Sequence, residues 1–366
     1  MRINFKYSIR TALAASILIS HFIFAEPVKA ESNDKGIPPL LAAQFIHAVI
    51  EANRTVYSEV IVERLGTAIS LASTENWKEE NTLPLPAQFL AMAAERSNQK
   101  GIGMHYRLMS LWPINNKNGP KSKFENQGLE EAIKNPDRSF SQLIEINGKH
   151  FFQAIFPDKA VTKSCVECHN NHPNSPKRDF KLGDVMGGII INLPLEDKIS
   201  KNDVPSIAPE VVADYIHSIL DSDRSVYAET IVDRLQKKKI AYASENWWED
   251  NALLLPAQFL LDSSDLIIQK NVAMDFKLIS LWPINPRNGS ANEFERLGLK
   301  YVIKHKTRPY FKKTELFGKK FFEAIYPDFA VTSACVECHN RHPRSPKKDF
   351  KIGDVMGGIS LFFMSN

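Results

Sequence analysis

The chain repeats itself at a constant offset of 170 residues. Residues 75–77 (Glu-Asn-Trp) recur at 245–247, and residues 111–115 (Leu-Trp-Pro-Ile-Asn) recur at 281–285. The offset holds without a gap to the C-terminus, which indicates a duplicated domain rather than a short solenoid repeat. Each copy has about 160 residues, an ordinary size for one domain. We therefore predict a first domain over 31–193, a polar, charged linker over 194–207 and a second domain over 208–366.

The pentapeptide Cys-Val-Glu-Cys-His occurs once in each copy, at 165–169 and at 335–339, and the two occurrences use all four cysteines of the chain. C-x-x-C-H is the attachment pattern of a c-type haem, because two thiols bond to the porphyrin edge and the next imidazole binds the iron. The sequence thus predicts two covalently attached haem c groups. The predicted attachment residues are Cys165, Cys168, Cys335 and Cys338, with His169 and His339 as the proximal iron ligands.

Two other uses of these cysteines stay open. Four thiolates can hold one zinc ion, and a single C-x-x-C can be a thioredoxin-like dithiol. Neither use requires a histidine directly after the second cysteine, and this chain has one both times. Each motif also lies in the same longer string, Cys-Val-Glu-Cys-His-Asn-x-His-Pro-x-Ser-Pro-Lys-x-Asp-Phe-Lys, so the haem interpretation is favoured.

The first 30 residues are typical of a secretory signal peptide. A basic start with Arg2, Lys6 and Arg10 precedes an apolar stretch over 11–24, and Ala30 ends a small-residue cleavage site. An uncleaved N-terminal anchor is the alternative. Cleavage would lower the formal charge from +4 to +1 by removing four basic and one acidic residue, so we predict no nucleic-acid partner. The expected location is the bacterial periplasm.

The pattern within one copy predicts an α+β fold. The expected elements are an amphipathic helix over 46–65 that starts near Pro39, a helix after Pro86, a strand over 104–112, a helix over 125–133, strands over 140–146 and 149–156, a short helical or loop segment with the haem motif, and a strand over 184–192. Asn147-Gly148 is a strong hairpin turn between the two central strands. We expect an antiparallel sheet with helices on one face.

Three strings resemble a bacterial family that was first catalogued as a domain of unknown function. They lie at 83–90, 165–177 and 179–188, and most of their residues return in the second copy. Members of that family carry one c-type haem in a PAS-like fold, as free exported proteins or as extracytoplasmic sensory parts of signalling proteins. The resemblance implies two tandem PAS-like domains with flanking helices and one haem segment each.

The sixth iron ligand decides the chemistry, because a strong ligand favours electron transfer and an open position admits small molecules. Candidates must recur at the 170-residue offset, which excludes His105, whose equivalent is Asp275. His47 with His217 are the first candidates, Met104 with Met274 are the second, and a vacant position is the third possibility. His172 lies too close to His169 to cross the ring, and Met186 is expected to pack. Arg54 with Arg224 either pair with haem propionates or are plain surface residues.

These observations predict a periplasmic dihaem c-type cytochrome-like protein for electron transfer or redox sensing. Its partners would be periplasmic or membrane-bound redox proteins. The alternative is a sensor of NO, CO or O2 that acts through a separate partner. A haem enzyme is the third class, for which the sequence offers no catalytic residues.

Overall fold

The computed structural model describes residues 36–195 and 204–365. The predicted signal peptide and residues 196–203 of the predicted linker lie outside the described residues. In the first copy the elements are α1 (Pro39–Val56), a π-helix (Tyr57–Glu63), α2 (Arg64–Ile69), β1 (Ser73–Thr74), α3 (Trp77–Glu80), β2 (Leu83–Pro84), α4 (Pro86–Asn98), β3 (His105–Met109), α5 (Lys123–Lys134), β4 (Phe140–Ile146), β5 (Lys149–Lys159), α6 (Lys163–Asn171) and β6 (Val185–Pro194).

The second copy repeats this order with small losses. Its elements are α7 (Pro209–Val226), a π-helix (Tyr227–Asp233), α8 (Arg234–Lys237), α9 (Pro256–Gln269), β7 (Met274–Ile279), α10 (Glu293–Lys304), β8 (Tyr310–Leu316), β9 (Lys319–Phe329), α11 (Ser333–Arg341) and β10 (Val355–Met364). The prolines that open α1 and α7 stand at the first helical turn, where a missing N–H costs no hydrogen bond. The predicted long helix begins at Pro39, as expected, and continues through seven π-helical residues.

Two four-stranded antiparallel sheets form within the described residues, in the orders β3-β6-β5-β4 and β7-β10-β9-β8. The predicted hairpin joins β4 to β5, with Asn147 at φ 53° and Gly148 at φ 76°, as a two-residue hairpin turn of positive φ requires. Phe317 adopts the same left-handed conformation in the second copy, at φ 54°. The predicted α+β class with antiparallel sheets is confirmed, whereas the PAS-like fold stays a prediction.

The expectation that helices cover one face of each sheet is wrong. Ile189 and Ile191 of β6 lie in the core with α1, whereas Ile190 packs with Leu129 of α5 on the opposite face. Successive side chains of a strand point to opposite faces, so an unbroken apolar run needs cover on both. The unbroken apolar run Ile189-Ile190-Ile191 in the sequence already indicated that both faces of the sheet are covered.

The predicted strand over 104–112 is shorter than expected. It ends at Met109 because the Ser110 hydroxyl donates to the Met186 carbonyl at 2.6 Å and accepts from the Trp112 N–H at 3.0 Å. These two bonds turn the chain out of the sheet. The strand predicted over 149–156 is longer than expected and ends at Lys159.

The helices of the two copies share one hydrophobic core. Helix α1 packs against α9, and α4 packs against α7. Phe89 meets Phe259 edge to face at 6.0 Å between ring centroids, and Arg96 binds Glu229 at 2.8 Å. One cluster of buried residues therefore runs through both copies.

Two arginines also join the copies through hydrogen bonds to backbone carbonyls of the opposite copy. Arg64 donates to the carbonyls of Trp247 and Ala252 and lies 4.8 Å above the Trp247 ring. Arg234 makes the equivalent contacts in the other direction, with the carbonyls of Trp77 and Thr82. The end of each long helix is thus fixed to the opposite copy.

A polar pair lies buried where α1 meets α7. Asn53 Nδ2 donates to Asp223 Oδ2, and the two residues hold equivalent positions in their copies. Burial raises the pKa of Asp223 to about 7, so its carboxyl group holds a proton more tightly in the folded protein than in the unfolded chain.

Among the residues that the structure describes, every helix is too short or too polar to cross a lipid bilayer.

We predict that Asp223→Asn stabilises the protein at pH 8 and has a smaller effect at pH 5. Because the pKa of Asp223 is raised on folding, its contribution to stability is present at acid pH and is lost between about pH 4 and about pH 7. The amide keeps the bond from Asn53 without titrating. Thermal unfolding midpoints at the two pH values measure the effect.

Glu315→Gln is the control, because Glu315 is an exposed carboxylate on β8 that lies opposite Lys320. An equal effect of Asp223→Asn at pH 5 and pH 8 would show that Asp223 does not titrate in this window.

Candidate functional site

The C-x-x-C-H motif lies on a short capped helix in each copy. The Thr162 hydroxyl accepts the Cys165 N–H at 3.2 Å and so caps α6, and Thr332 caps α11 through Cys335 at 3.3 Å. Residues three and four positions apart share one face of a helix. Cys165, Cys168 and His169 therefore lie on the same side of α6, as one porphyrin edge and its iron require.

The state of the second thiol of each motif speaks against a reactive dithiol. Burial followed by the nearby Glu75 carboxylate raises the pKa of Cys168, and burial followed by Glu245 raises that of Cys338. A reactive dithiol needs a lowered thiol pKa. Within residues 36–195 and 204–365, no group of three or more His, Cys, Asp or Glu side chains is arranged to hold a metal ion.

The histidine of each motif is neutral, and one of its ring nitrogens is buried without a hydrogen-bond partner among the described residues. Burial, followed by the charge of Arg54, lowers the pKa of His169, and burial, followed by the charge of Arg224, lowers that of His339 to about 4. A neutral imidazole is the form that binds a metal. Nδ1 of both rings is buried and has no hydrogen-bond partner among the described residues.

An apolar bed lies beside the first thiol of each motif. In the first copy it consists of Ala160, Phe180 and Met186 with Trp112, Cys165 and Val166, and the second copy repeats it with Ala330, Phe350, Met356, Trp282, Cys335 and Val336. Phe180 also meets the His169 ring edge to face at 5.9 Å. Each bed thus has two aromatic side chains, Trp112 with Phe180 and Trp282 with Phe350, which meet edge to face.

Met186 reaches this bed through a β-bulge. The register of β5 and β6 shifts between Asp158 and Lys159, which leaves Met186 unpaired in β6. Gly187 follows because a Cβ there would stand 2.3 Å from the Met109 carbonyl oxygen. The structure therefore places Met186 in the apolar cluster that contains Cys165.

Side chains from distant segments hold α6 in place. Asn170 exchanges two 3.0 Å hydrogen bonds with the backbone of Phe180, and Ser164 donates to Glu63 of the π-helix at 3.1 Å. Sequence reasoning missed both contacts. Asn170 recurs as Asn340, and this recurrence could have indicated a shared role. Glu63 corresponds to Asp233, so only the negative charge recurs at that position.

His172 has structural partners at the end of the motif helix. Its Nδ1 accepts the Asn174 N–H at 3.1 Å, and its Nε2 lies 3.7 Å from Glu75. His342 and Glu245 repeat the second contact at 3.4 Å. Both ring nitrogens of His172 are thus accounted for without a ligand role.

Arg54 is buried, so the alternative of a plain surface residue is wrong. Its Nη1 binds Asp158 Oδ1 at 3.1 Å, and Arg224 binds Asp328 at 3.0 Å. The side chains of all four are less than 10% exposed. Burial raises the pKa of Asp158 although Arg54 opposes the shift, and it raises that of Asp328 to about 6.

His47 has two properties of a metal ligand, a buried ring nitrogen without a partner and a lowered pKa. Its ring stacks on Phe156 at 4.2 Å, its Nε2 is buried without a partner in the described part of the chain, and burial lowers its pKa to about 4. Phe156 lies on β5, four residues before Ala160 of the apolar bed.

The second copy repeats this arrangement, with His217 stacked on Tyr326 at 4.0 Å and its pKa also lowered to about 4 by burial. Met104 and Met274 lie elsewhere, in the core that the copies share. The two methionines are therefore not part of the beds that contain the first cysteine of each motif, and the sixth ligand stays a prediction.

Fold and site together define a class: a tandem α+β protein in which each copy presents a helix-borne Cys-x-x-Cys-His motif over an apolar bed. The family model described as Tll0287-like matches residues 40–194 and again residues 208–363. The chain therefore belongs to the Tll0287-like family and contains its domain twice, which confirms the family resemblance predicted from the sequence.

Among solved structures, the chain is similar to the one titled crystal structure of the cyanobacterial heme-protein Tll0287. The two are 15% identical, the TM-score is 0.31, and the alignment covers 44% of this chain and 99% of that chain. No curated protein matches.

We predict that the paired variant His47→Ala, His217→Ala changes the low-spin visible spectrum of the purified protein if these residues ligate iron. Loss of an axial imidazole alters the spin state and the absorption bands. Spectra of the oxidised and reduced protein measure the change.

His105→Ala serves as the control, since His105 is exposed, bonds Asn98 and has no histidine at the equivalent position. An unchanged spectrum of the paired variant in both oxidation states removes His47 and His217 as ligands.

Proposed function

We propose that this protein is a periplasmic c-type cytochrome-like protein that carries two covalently attached haems and serves electron transfer or redox sensing. The observation that carries the proposal is the pair of capped motif helices. Each one presents two free thiols and a neutral histidine on one face, beside an aromatic bed. Membership of the Tll0287-like family, whose solved relative is described as a haem protein, supports it.

The residues of the motif fit the proposed group. Cys165 and Cys168 would form the thioethers and His169 would bind the iron, with Cys335, Cys338 and His339 in the second copy. When bound, the haem supplies one-electron redox chemistry, and the protein supplies binding, orientation and electrostatics. Trp112 and Phe180 exclude water from one side of the site, and the Thr162 cap fixes the first thiol.

The common core gives the two sites a fixed relation. Helices α1, α4, α7 and α9 pack across the copies, so the motif helices cannot move as parts of independent domains. Two irons held in this way would give a two-electron capacity or a short relay within one chain. The electron partners we propose are periplasmic or membrane-bound redox proteins, reached after export by residues 1–30.

A sensor of NO, CO or O2 is the second candidate, and one observation favours it. Met104 and Met274 lie in the core that the copies share and not in the apolar beds beside the cysteines. An iron without a sixth protein ligand would admit a diatomic molecule. Such a sensor would act through a separate partner.

We predict that the exported protein, produced in a host that matures c-type cytochromes, has the mass of the chain from Glu31 plus two haems. Replacing Cys165 and Cys168 by serine should remove one haem, because a thioether needs a thiol. Replacing Cys335 and Cys338 should remove the other. Intact mass spectrometry counts the haems, and a wild-type mass without any would refute the proposed function.

We predict that carbon monoxide separates the two candidate functions. A six-coordinate ferrous iron with a strong protein ligand should leave the reduced spectrum unchanged, which supports electron transfer. Rapid formation of a CO adduct should shift the main absorption band, which supports sensing. The reduced protein is measured before and after addition of CO, with reduced myoglobin as the positive control.

A further inference from the structure

The hairpin tip of the second copy differs in its chemistry from that of the first. Phe317 takes the position that Asn147 takes in the first copy, and the two residues have nearly the same positive φ, 54° and 53°. Asparagine adopts this conformation readily, whereas a bulky side chain is rarely found in it. The Phe317 side chain is also fully exposed, so no other described residue packs on it. Phe317 is thus disfavoured by the backbone and gains nothing from packing, so the folded chain does not account for it.

Lysines surround the same tip. Residues 312–320 contain four lysines and one glutamate, which give a formal charge of +3. The equivalent residues 142–150 contain one lysine and one glutamate, which cancel. Lys319 lies directly opposite Leu316 in the register of β8 and β9, and Lys312 stands further back on β8. The second copy has therefore acquired positive charge and an exposed aromatic ring at one place.

Protection of the sheet edge explains only some of these residues. Strand β8 is at the edge of its sheet, and lysines on an edge strand deter pairing with another chain. This role accounts for the lysines of β8, one of which, Lys313, also binds Glu210 at 3.3 Å. It does not account for Lys319 and Lys320, which belong to the inner strand β9, or for Phe317.

We propose that the β8–β9 hairpin of the second copy docks the protein onto an anionic lipid bilayer. Phe317 and Leu316, which is 43% exposed, enter between the headgroups, and the lysines bind the lipid phosphates. Apolar burial and electrostatic attraction to anionic lipids add up in interfacial membrane binding. A bilayer accepts a protruding apolar tip of any shape, whereas a protein partner must supply a pocket that fits the ring. The inference does not depend on haem.

Two variants separate the apolar and the electrostatic part of this contact. Phe317→Asn gives the second copy the residue that the first copy has at this turn, so its thermal unfolding midpoint should equal or exceed that of the wild type. Its binding to lipid should be weaker by about tenfold or more, because no aromatic ring enters the bilayer. Lys312→Gln combined with Lys319→Gln should weaken binding by about fivefold per lysine at low salt.

The experiment is co-sedimentation of the purified exported protein with vesicles made of phosphatidylglycerol and phosphatidylethanolamine. Phosphatidylcholine vesicles should bind the protein weakly because they have no net charge, and about 1 M salt should release it from the anionic vesicles. Ile146→Thr is the matched control, since Ile146 is a 49% exposed apolar residue beside the tip of the first copy, where the charges cancel. Its binding should equal that of the wild type.

Four results would overturn the proposal. They are a wild-type protein that stays in the supernatant, Phe317→Asn with wild-type affinity, equal binding to charged and uncharged vesicles, and an equal loss of binding in Ile146→Thr. Retention of the wild type by an acidic protein but not by the vesicles belongs to the first of these. Thermal unfolding verifies that each variant is folded, and the lysine variant tests the same contact without any change at the turn.

Discussion

The burial of helices from one copy against helices of the other is the constraint on which the rest of the structure depends. Each long helix packs against its own sheet on one side and against the opposite copy on the other, so it is buried around most of its circumference. The hydrogen bonds of Arg64 and Arg234 fix the ends of these helices to the opposite copy. The sheets, and with them the motif helices, take their positions from this common core.

The two motif helices are held mainly within their own copies. Three contacts fix the helix that carries the cysteines of the first copy. Thr162 caps its first turn, Asn170 donates to the Phe180 carbonyl, and Ser164 donates to Glu63 of the π-helix. The π-helix connects the motif helix with the opposite copy. Glu63 accepts a hydrogen bond from Ser164 of the motif helix, and the adjacent Arg64 donates to the Trp247 carbonyl of the other copy. π-helical segments often occur at functional sites, which agrees with this double role.

Much of this organisation could be predicted from the sequence, for identifiable reasons. The 170-residue offset indicated the duplication, Asn147-Gly148 indicated the hairpin, and proline indicated the helix starts, because each is a local signal. The cover on both sheet faces was misjudged although the run Ile189-Ile190-Ile191 indicated it. The pairing of Arg54 with Asp158 and the depth of His47 could not be predicted, since they depend on how α1 lies across β5 and no local pattern encodes that crossing.

The pair Asn53 and Asp223 shows what a single chain gains over two identical subunits. In a symmetric dimer the residue on the two-fold axis meets its own copy, so an aspartate there would face another aspartate. Fusion of the halves lets an amide meet a carboxyl group instead, which no homodimer can encode. Once the constraint of identity is lifted, the halves are free to diverge in other buried positions too, and two cofactor sites of common origin can acquire different properties.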